Sequence, residues 1–123
     1  MNSIILSGRV AAELRDHETS SGNTVIHFPI AVRKSFKKDE KGNYPVNYFR
    51  VEAWSAVANT CKERLAVGDL INVHGRLDMD IYPDDQGKKQ YRAKITAGNI
   101  EFLTPRKDGK EVSSTPEAED LTI

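Results

Sequence analysis

The sequence predicts an all-β chain: a five-stranded barrel with one helix between the third and fourth strands. Three observations predict it. Apolar and polar residues alternate along successive segments, and clusters of Gly, Asn, Asp and Ser separate those segments. One stretch alone spaces its apolar residues as a helix does.

Taken in order, Ser3 to Ala12 is the first strand, carrying Ile4, Ile5, Leu6 and Val10 with Gly8 in its middle. A glycine inside a strand marks a bend or a close backbone approach. Thr19 to Asn23 is a turn, and Val25 to Arg33 then alternates, with Ile26, Phe28, Ile30 and Val32 on one face. Lys37 to Asn43 is a charged loop ending in Gly-Asn, a hairpin signal. Asn47 to Trp54 alternates again, with Phe49, Val51 and Ala53 inward. Ser55 is placed as the helix N-cap, Val57, Ala58, Cys61 and Leu65 form the apolar stripe, and Gly68 stops the helix. Leu70 to Tyr82 is a long strand with Ile71, Val73, Leu77, Met79 and Ile81 inward. Pro83 to Gly87 turns the chain, Gln90 to Ile95 pairs back, and Asn99 to Leu103 supplies a last short strand. Three strands, a helix, then two or three strands is the order of the partly open OB-fold barrel.

Composition narrows the function classes. In 123 residues, 38% apolar and 29% charged, no apolar run approaches the length of a membrane span. No membrane association is expected. The N-terminus has no basic lead of a secretory signal, and the one cysteine, Cys61, has no partner for an internal disulfide. The expected compartment is the cytoplasm, with Cys61 a small core residue. Zero net charge hides an asymmetry. Residues 1–107 hold 17 Lys and Arg against 13 Asp and Glu, a net +4, and residues 108–123 hold one against five, a net −4. Two domains of behaviour follow: a folded body over 1–104 and a flexible acidic tail over 105–123, too poor in apolar residues to offset its ordering entropy.

Alternation also assigns the outward faces. Inward Phe49, Val51 and Ala53 leave Tyr48, Arg50, Glu52 and Trp54 outward. On the long strand the outward set is Asn72, His74, Arg76, Asp78, Asp80 and Tyr82. Rings beside guanidinium groups on the side away from a core suit single-stranded nucleic acid, whose bases stack on flat aromatics while cations meet phosphates. A subunit interface, or a second small apolar cluster, made by Tyr48, Trp54 and Tyr82 is the other reading. Phe36 shares parity with the core set and reaches the outer face only if a bulge or the strand end intervenes, although Arg33, Lys34, Lys37 and Lys38 surround it with cations. Tyr44 and Tyr91 have no evident role. Asp78 and Asp80 read as a solvated strand edge. His17, His27 and His74 lie far apart, with no ligand spacing for a metal. There is no Walker loop, dinucleotide fingerprint or nucleophile elbow, so no cofactor and no enzyme are expected.

Over residues 2–106 the chain resembles the bacterial single-stranded DNA-binding protein family. The residues that carry the likeness are Asn2-Ser3-Ile4-Ile5-Leu6-Ser7-Gly8-Arg9-Val10, Ile30 to Phe36, Tyr48-Phe49-Arg50-Val51-Glu52-Ala53-Trp54 and Val67 to Leu77, in order and at these spacings. The resemblance implies an OB-fold homotetramer that binds single-stranded DNA without sequence preference, in replication, recombination and repair. It implies base stacking on Phe36, Tyr48, Trp54 and Tyr82. The cations available to phosphates are then Arg9, Arg33, Lys34, Lys37, Lys38, Arg50, Arg76, Lys88, Lys89 and Arg92. A primosome-type OB adaptor of replication restart, dimeric and chiefly protein-binding, is a related alternative; a protein-interaction OB module is another. Family members carry a long linker and an acidic tip ending in Pro-Phe that docks replication and repair proteins. Here the corresponding residues are Glu119, Asp120, Leu121 and Ile123, acidic then apolar but without Pro or Phe.

Overall fold

The computed structural model describes residues 1–104. The expected tail, with Glu119, Asp120, Leu121 and Ile123, lies outside the described residues. Six strands and one helix follow in the order β1 (Ile4–Val10), β2 (Arg15–Glu18), β3 (Thr24–Arg33), β4 (Val46–Trp54), α1 (Ser55–Arg64), β5 (Leu70–Pro83) and β6 (Lys89–Phe102). They form one sheet in the order β1-β5-β6-β4-β3-β2, and a further β1–β3 pairing closes it into a barrel. This is the OB-fold arrangement, with the helix between the third and fourth long strands, as the sequence predicts.

Closure depends on Gly8. From Ile4 to Arg9 the first strand pairs with β5, and at Arg9 and Val10 it meets Ala31 and Ile30 of β3. A Cβ at Gly8 would lie 2.6 Å from the Ala31 carbonyl oxygen, so only glycine lets β1 pass this close. The enclosed core is built from Val10, Ile26, Phe28, Ile30, Val51, Ala53, Ile71, Val73 and Ile95, with Ala58 and Cys61 of α1 covering one end. Burial pushes the Cys61 thiol up to about 11, which keeps it protonated and inert.

One strand goes beyond the sequence reading, and three expectations are corrected. The segment Arg15–Glu18 is a strand pairing with β3 (Arg15 opposite His27), although it holds no apolar residue to announce it. Ser55 does not cap α1: Trp54 is the last extended residue, no side chain caps the helix, and Ser55 takes a left-handed φ of 50° where β4 runs directly into α1. The two segments read as separate final strands are one strand, β6, with a bulge: His74 faces Asn99 and Gly75 faces Ala97, leaving Gly98 over. That extra residue breaks the alternation between Ile95 and Ile100. Finally, Leu77, Met79 and Ile81 lie on the core-facing side of the β5–β6 ribbon, Leu77 opposite buried Ile95, but they are exposed. The fourteen-residue strands outrun the barrel, so their inner face emerges into solvent beyond it.

Candidate functional site

The outer face of β4 is flanked by β3 on one side and β6 on the other. Residues directly opposite share a face, so Tyr48, Arg50, Glu52 and Trp54 stand beside Ala31, Pro29, His27 and Val25. The parallel pairing of Glu52 with Thr96 brings in β6, and β6 brings in β5: Thr96 is opposite Arg76, Lys94 opposite Asp78, Arg92 opposite Asp80 and Gln90 opposite Tyr82. One continuous outer face therefore carries Tyr48, Trp54 and Tyr82, at 68%, 40% and 46% exposure. Alternate residues of a strand are about 6.6 Å apart, so Tyr48 and Trp54 stand about 20 Å apart along β4. Phe36 is 79% exposed in the loop after β3, because the strand ends at Arg33 and its parity no longer applies.

The parallel run of β4 and β6 has a second consequence. The β3–β4 and β5–β6 loops each precede one of these strands, so both open at the same end of the sheet. Phe36, Lys34, Lys37 and Lys38 in one loop thus share that end with Lys88 in the other and Lys89 and Arg92 just past it. Among the described residues none of these six cations forms an ion pair. Arg33 instead lies over the Tyr44 ring at 3.6 Å, with Lys38 on that ring at 5.5 Å, so Tyr44 braces the loop. Arg9 donates from Nη1 to the Gly68 carbonyl at 2.9 Å and stands opposite Ala31, itself opposite Tyr48.

Between the rings lies a chain of ion pairs that alternation does not foresee. Glu52 is only 6% exposed. Its Oε1 accepts the Trp54 indole N–H at 2.7 Å, and its Oε2 accepts from Lys94 Nζ at 3.0 Å and His27 Nε2 at 2.9 Å. Lys94 also reaches Asp80 at 3.0 Å, and Arg50 donates to the other Asp80 oxygen. Asp78 accepts from Thr96 and, at 3.0 Å, from Arg76. Asp78 and Asp80 are therefore half-buried members of a network, not the solvated edge the sequence suggests. Burial pushes the Glu52 carboxyl up, but the bonds from Trp54, Lys94 and His27 and the Lys94 charge outweigh it and hold it below the ordinary range. The hydrogen bonds from Lys94 and Arg50 hold Asp80 down, against partial burial. The His17 and His27 rings stack at 5.5 Å, brought together by β2, the strand that sequence reading missed.

The sequence signal for Glu52 was a lone charge between Val51 and Ala53. Nothing in the sequence marked Lys94 as its partner, because the pairing depends on β4 lying beside β6.

Barrel, helix position and a flat face of rings and paired charges define the chain as an OB-fold protein. Residues 1–103 match the Single-strand binding protein family, and the chain belongs to that family. It is 31% identical over 111 residues to the single-stranded DNA-binding protein of Bacillus cereus, covering 90% of this chain and 65% of that one. With single-stranded DNA-binding protein 1 of Synechocystis it is 31% identical over 115 residues, covering 92% of each. Among solved structures it superposes on the small single-stranded DNA-binding protein of Streptomyces coelicolor with a TM-score of 0.65 at 27% identity, over 81% of this chain and 92% of that one. A Plasmodium falciparum SSB in complex with ssDNA gives a TM-score of 0.73 at 18% identity, over 85% and 96%, a likeness of fold.

Proposed function

We propose that this chain binds single-stranded DNA without regard to sequence and coats it during replication, recombination and repair, as a non-catalytic protein. Tyr48, Trp54, Tyr82 and Phe36 are the stacking platforms, and the cations of the two loops, with Arg9 and Arg92, neutralise the backbone. The observation that carries the reading is the common face: three rings from β4 and β5 stand together on one sheet, at whose end two basic loops open. Stacking supplies roughly 1–3 kcal/mol per base and is indifferent to base identity.

The assembly we infer is a homotetramer. Leu77, Met79, Ile81 and Tyr91 form an exposed apolar row on the opposite side of the β5–β6 arm from Asp80 and Tyr82, so subunit contact there leaves the polymer face open. The acidic tip at Glu119, Asp120, Leu121 and Ile123 is the expected contact for replication and repair proteins.

Titration with oligo-dT tests the reading through the single tryptophan, Trp54. Fluorescence is expected to quench, equally with mixed-sequence strands and far less with duplex, and binding is expected to weaken as salt is added. Tyr48→Ala is expected to lose about 1–3 kcal/mol of affinity with the fold intact. Unchanged fluorescence together with no mobility shift would overturn the assignment.

A further inference from the structure

The face that the proposed function assigns to single-stranded DNA carries anions of its own. Along its centre Arg50, Arg76 and Lys94 are matched by Glu52, Asp78 and Asp80, three cations to three carboxylates, each cation in direct contact with at least one carboxylate. Among the described residues Lys34, Lys37, Lys38, Lys88, Lys89 and Arg92, at the loop end, have no carboxylate partner, and on β2 Arg15, opposite His27, has none either. A simple count of basic residues on the face therefore overstates what a phosphate meets.

We propose that Asp80 acts as a built-in competitor for the DNA backbone: it occupies Arg50 and Lys94 where a phosphate would otherwise sit, and so limits affinity and its salt dependence. The proposal rests on single-stranded DNA being the ligand. Asp80 is placed for the role by position. It stands on β5 between Asp78 and Tyr82, on the ring-bearing side of the ribbon, and binds one cation from β4 and one from β6 with its two oxygens. Lys94 keeps a second carboxylate in Glu52 if Asp80 is lost. Arg50 has no other anionic partner among the described residues, and its Nε is buried without a hydrogen-bond partner. Neutralising Asp80 thus leaves a guanidinium, the group whose fork best fits phosphate oxygens, directed at a face lined by Tyr48 and Tyr82. With Asp80 in place, the middle of the face is electrically neutral and favours a base, while phosphates are drawn toward the loop cations.

The experiment is oligo-dT binding by the full chain over a range of salt concentrations, for the wild type, Asp80→Asn, Asp80→Glu and Asp85→Asn. Asp85 lies in the β5–β6 turn and forms no ion pair among the described residues, so its variant controls for net charge alone. Asp80→Asn is expected to bind about threefold to tenfold more tightly at moderate salt, the scale of one added charge-assisted contact. Its log–log salt slope is expected to steepen by about 0.7, one further phosphate on a single strand. Asp80→Glu, which keeps the charge, is expected to keep the wild-type slope. Asp80→Ser gives the same reading as Asn if the amide is not accommodated. A slope in Asp80→Asn equal to that of the wild type, weaker binding by a folded variant, or an equal change in Asp85→Asn overturns the proposal. No binding by the wild type at any salt overturns the functional reading itself.

Discussion

Glu52 does three things at once. It fixes the Trp54 ring by accepting its N–H, anchors Lys94, and joins β3 to β6 across β4 through His27. A carboxylate this deeply placed is tolerated because every contact offers a proton to it. Its folded-state value lies below the ordinary 4.5, so the charged form is favoured by folding. The stability it contributes is present above that ordinary value and is lost as pH falls through the folded one. Urea unfolding of the wild type is therefore expected to shift to lower midpoints as pH drops below about 4.5, and Glu52→Gln to show a shallower decline over the same range. At neutral pH Glu52→Ala, which leaves the Trp54 indole N–H without its acceptor and Lys94 with Asp80 as its one carboxylate among the described residues, is expected to cost about 1–3 kcal/mol. The outward rings were legible in the sequence because alternation along one strand needs only local parity. Glu52 was assigned to the correct face by the same rule, but its burial and its partner were not visible. Lys94 is 42 residues away and meets it only because two strands that are not consecutive run side by side.

At the scale of elements, the chain repeats one turn three times. Thr19, Asp39 and Asp84 each accept, on a side-chain oxygen, the backbone N–H four residues on, while Gly22, Gly42 and Gly87 donate back to their carbonyls with positive φ. All three turns were readable, since the chemistry is contained within five residues. The bulge was not, because it exists only as a mismatch between two strands. Gly75 is where that mismatch is absorbed: a Cβ there would lie 2.0 Å from the Thr96 carbonyl oxygen, a backbone atom that cannot swing aside. Gly75→Ala is expected to cost about 2 kcal/mol or more and to lower Tm by on the order of 10 °C. Gly98→Ala, with its nearest atom at 3.7 Å, is the matched control and should change Tm little in the same melt. Strand β2 and the cap of α1 escaped the sequence for opposite reasons. The first has four exposed polar residues and is held by its pairing with β3, the His17–His27 stack and the Lys62–Asp16 ion pair, and the second offered a good capping residue at a junction where Trp54, not Ser55, takes the cap position.

For the molecule as a whole, the length of β5 and β6 decides how it meets its surroundings. A ribbon that continues past the barrel exposes both faces, and here the two differ in kind. One carries Asp78, Asp80, Tyr82 and Lys94, tied to β4; the other carries Leu77, Met79, Ile81 and Tyr91, with nothing from its own barrel to cover them. The parity that sends large apolar residues inward was read correctly, and only the extent of the core was misjudged, because strand length relative to the barrel is a property of the whole sheet. Four large apolar side chains in a row gain by leaving water, on the order of 25 cal/mol per Å² of apolar surface, and a second copy of the same arm offers a surface of the same chemistry. Ile81→Lys places a charge in that row without touching the core or the ring-bearing face. It is expected to reduce the mass of the assembly measured by light scattering, with an unchanged far-UV spectrum and retained Trp54 quenching by short oligonucleotides. An assembly of unchanged mass would place the subunit contact elsewhere, for example on β1, where exposed Ile5 stands opposite His74.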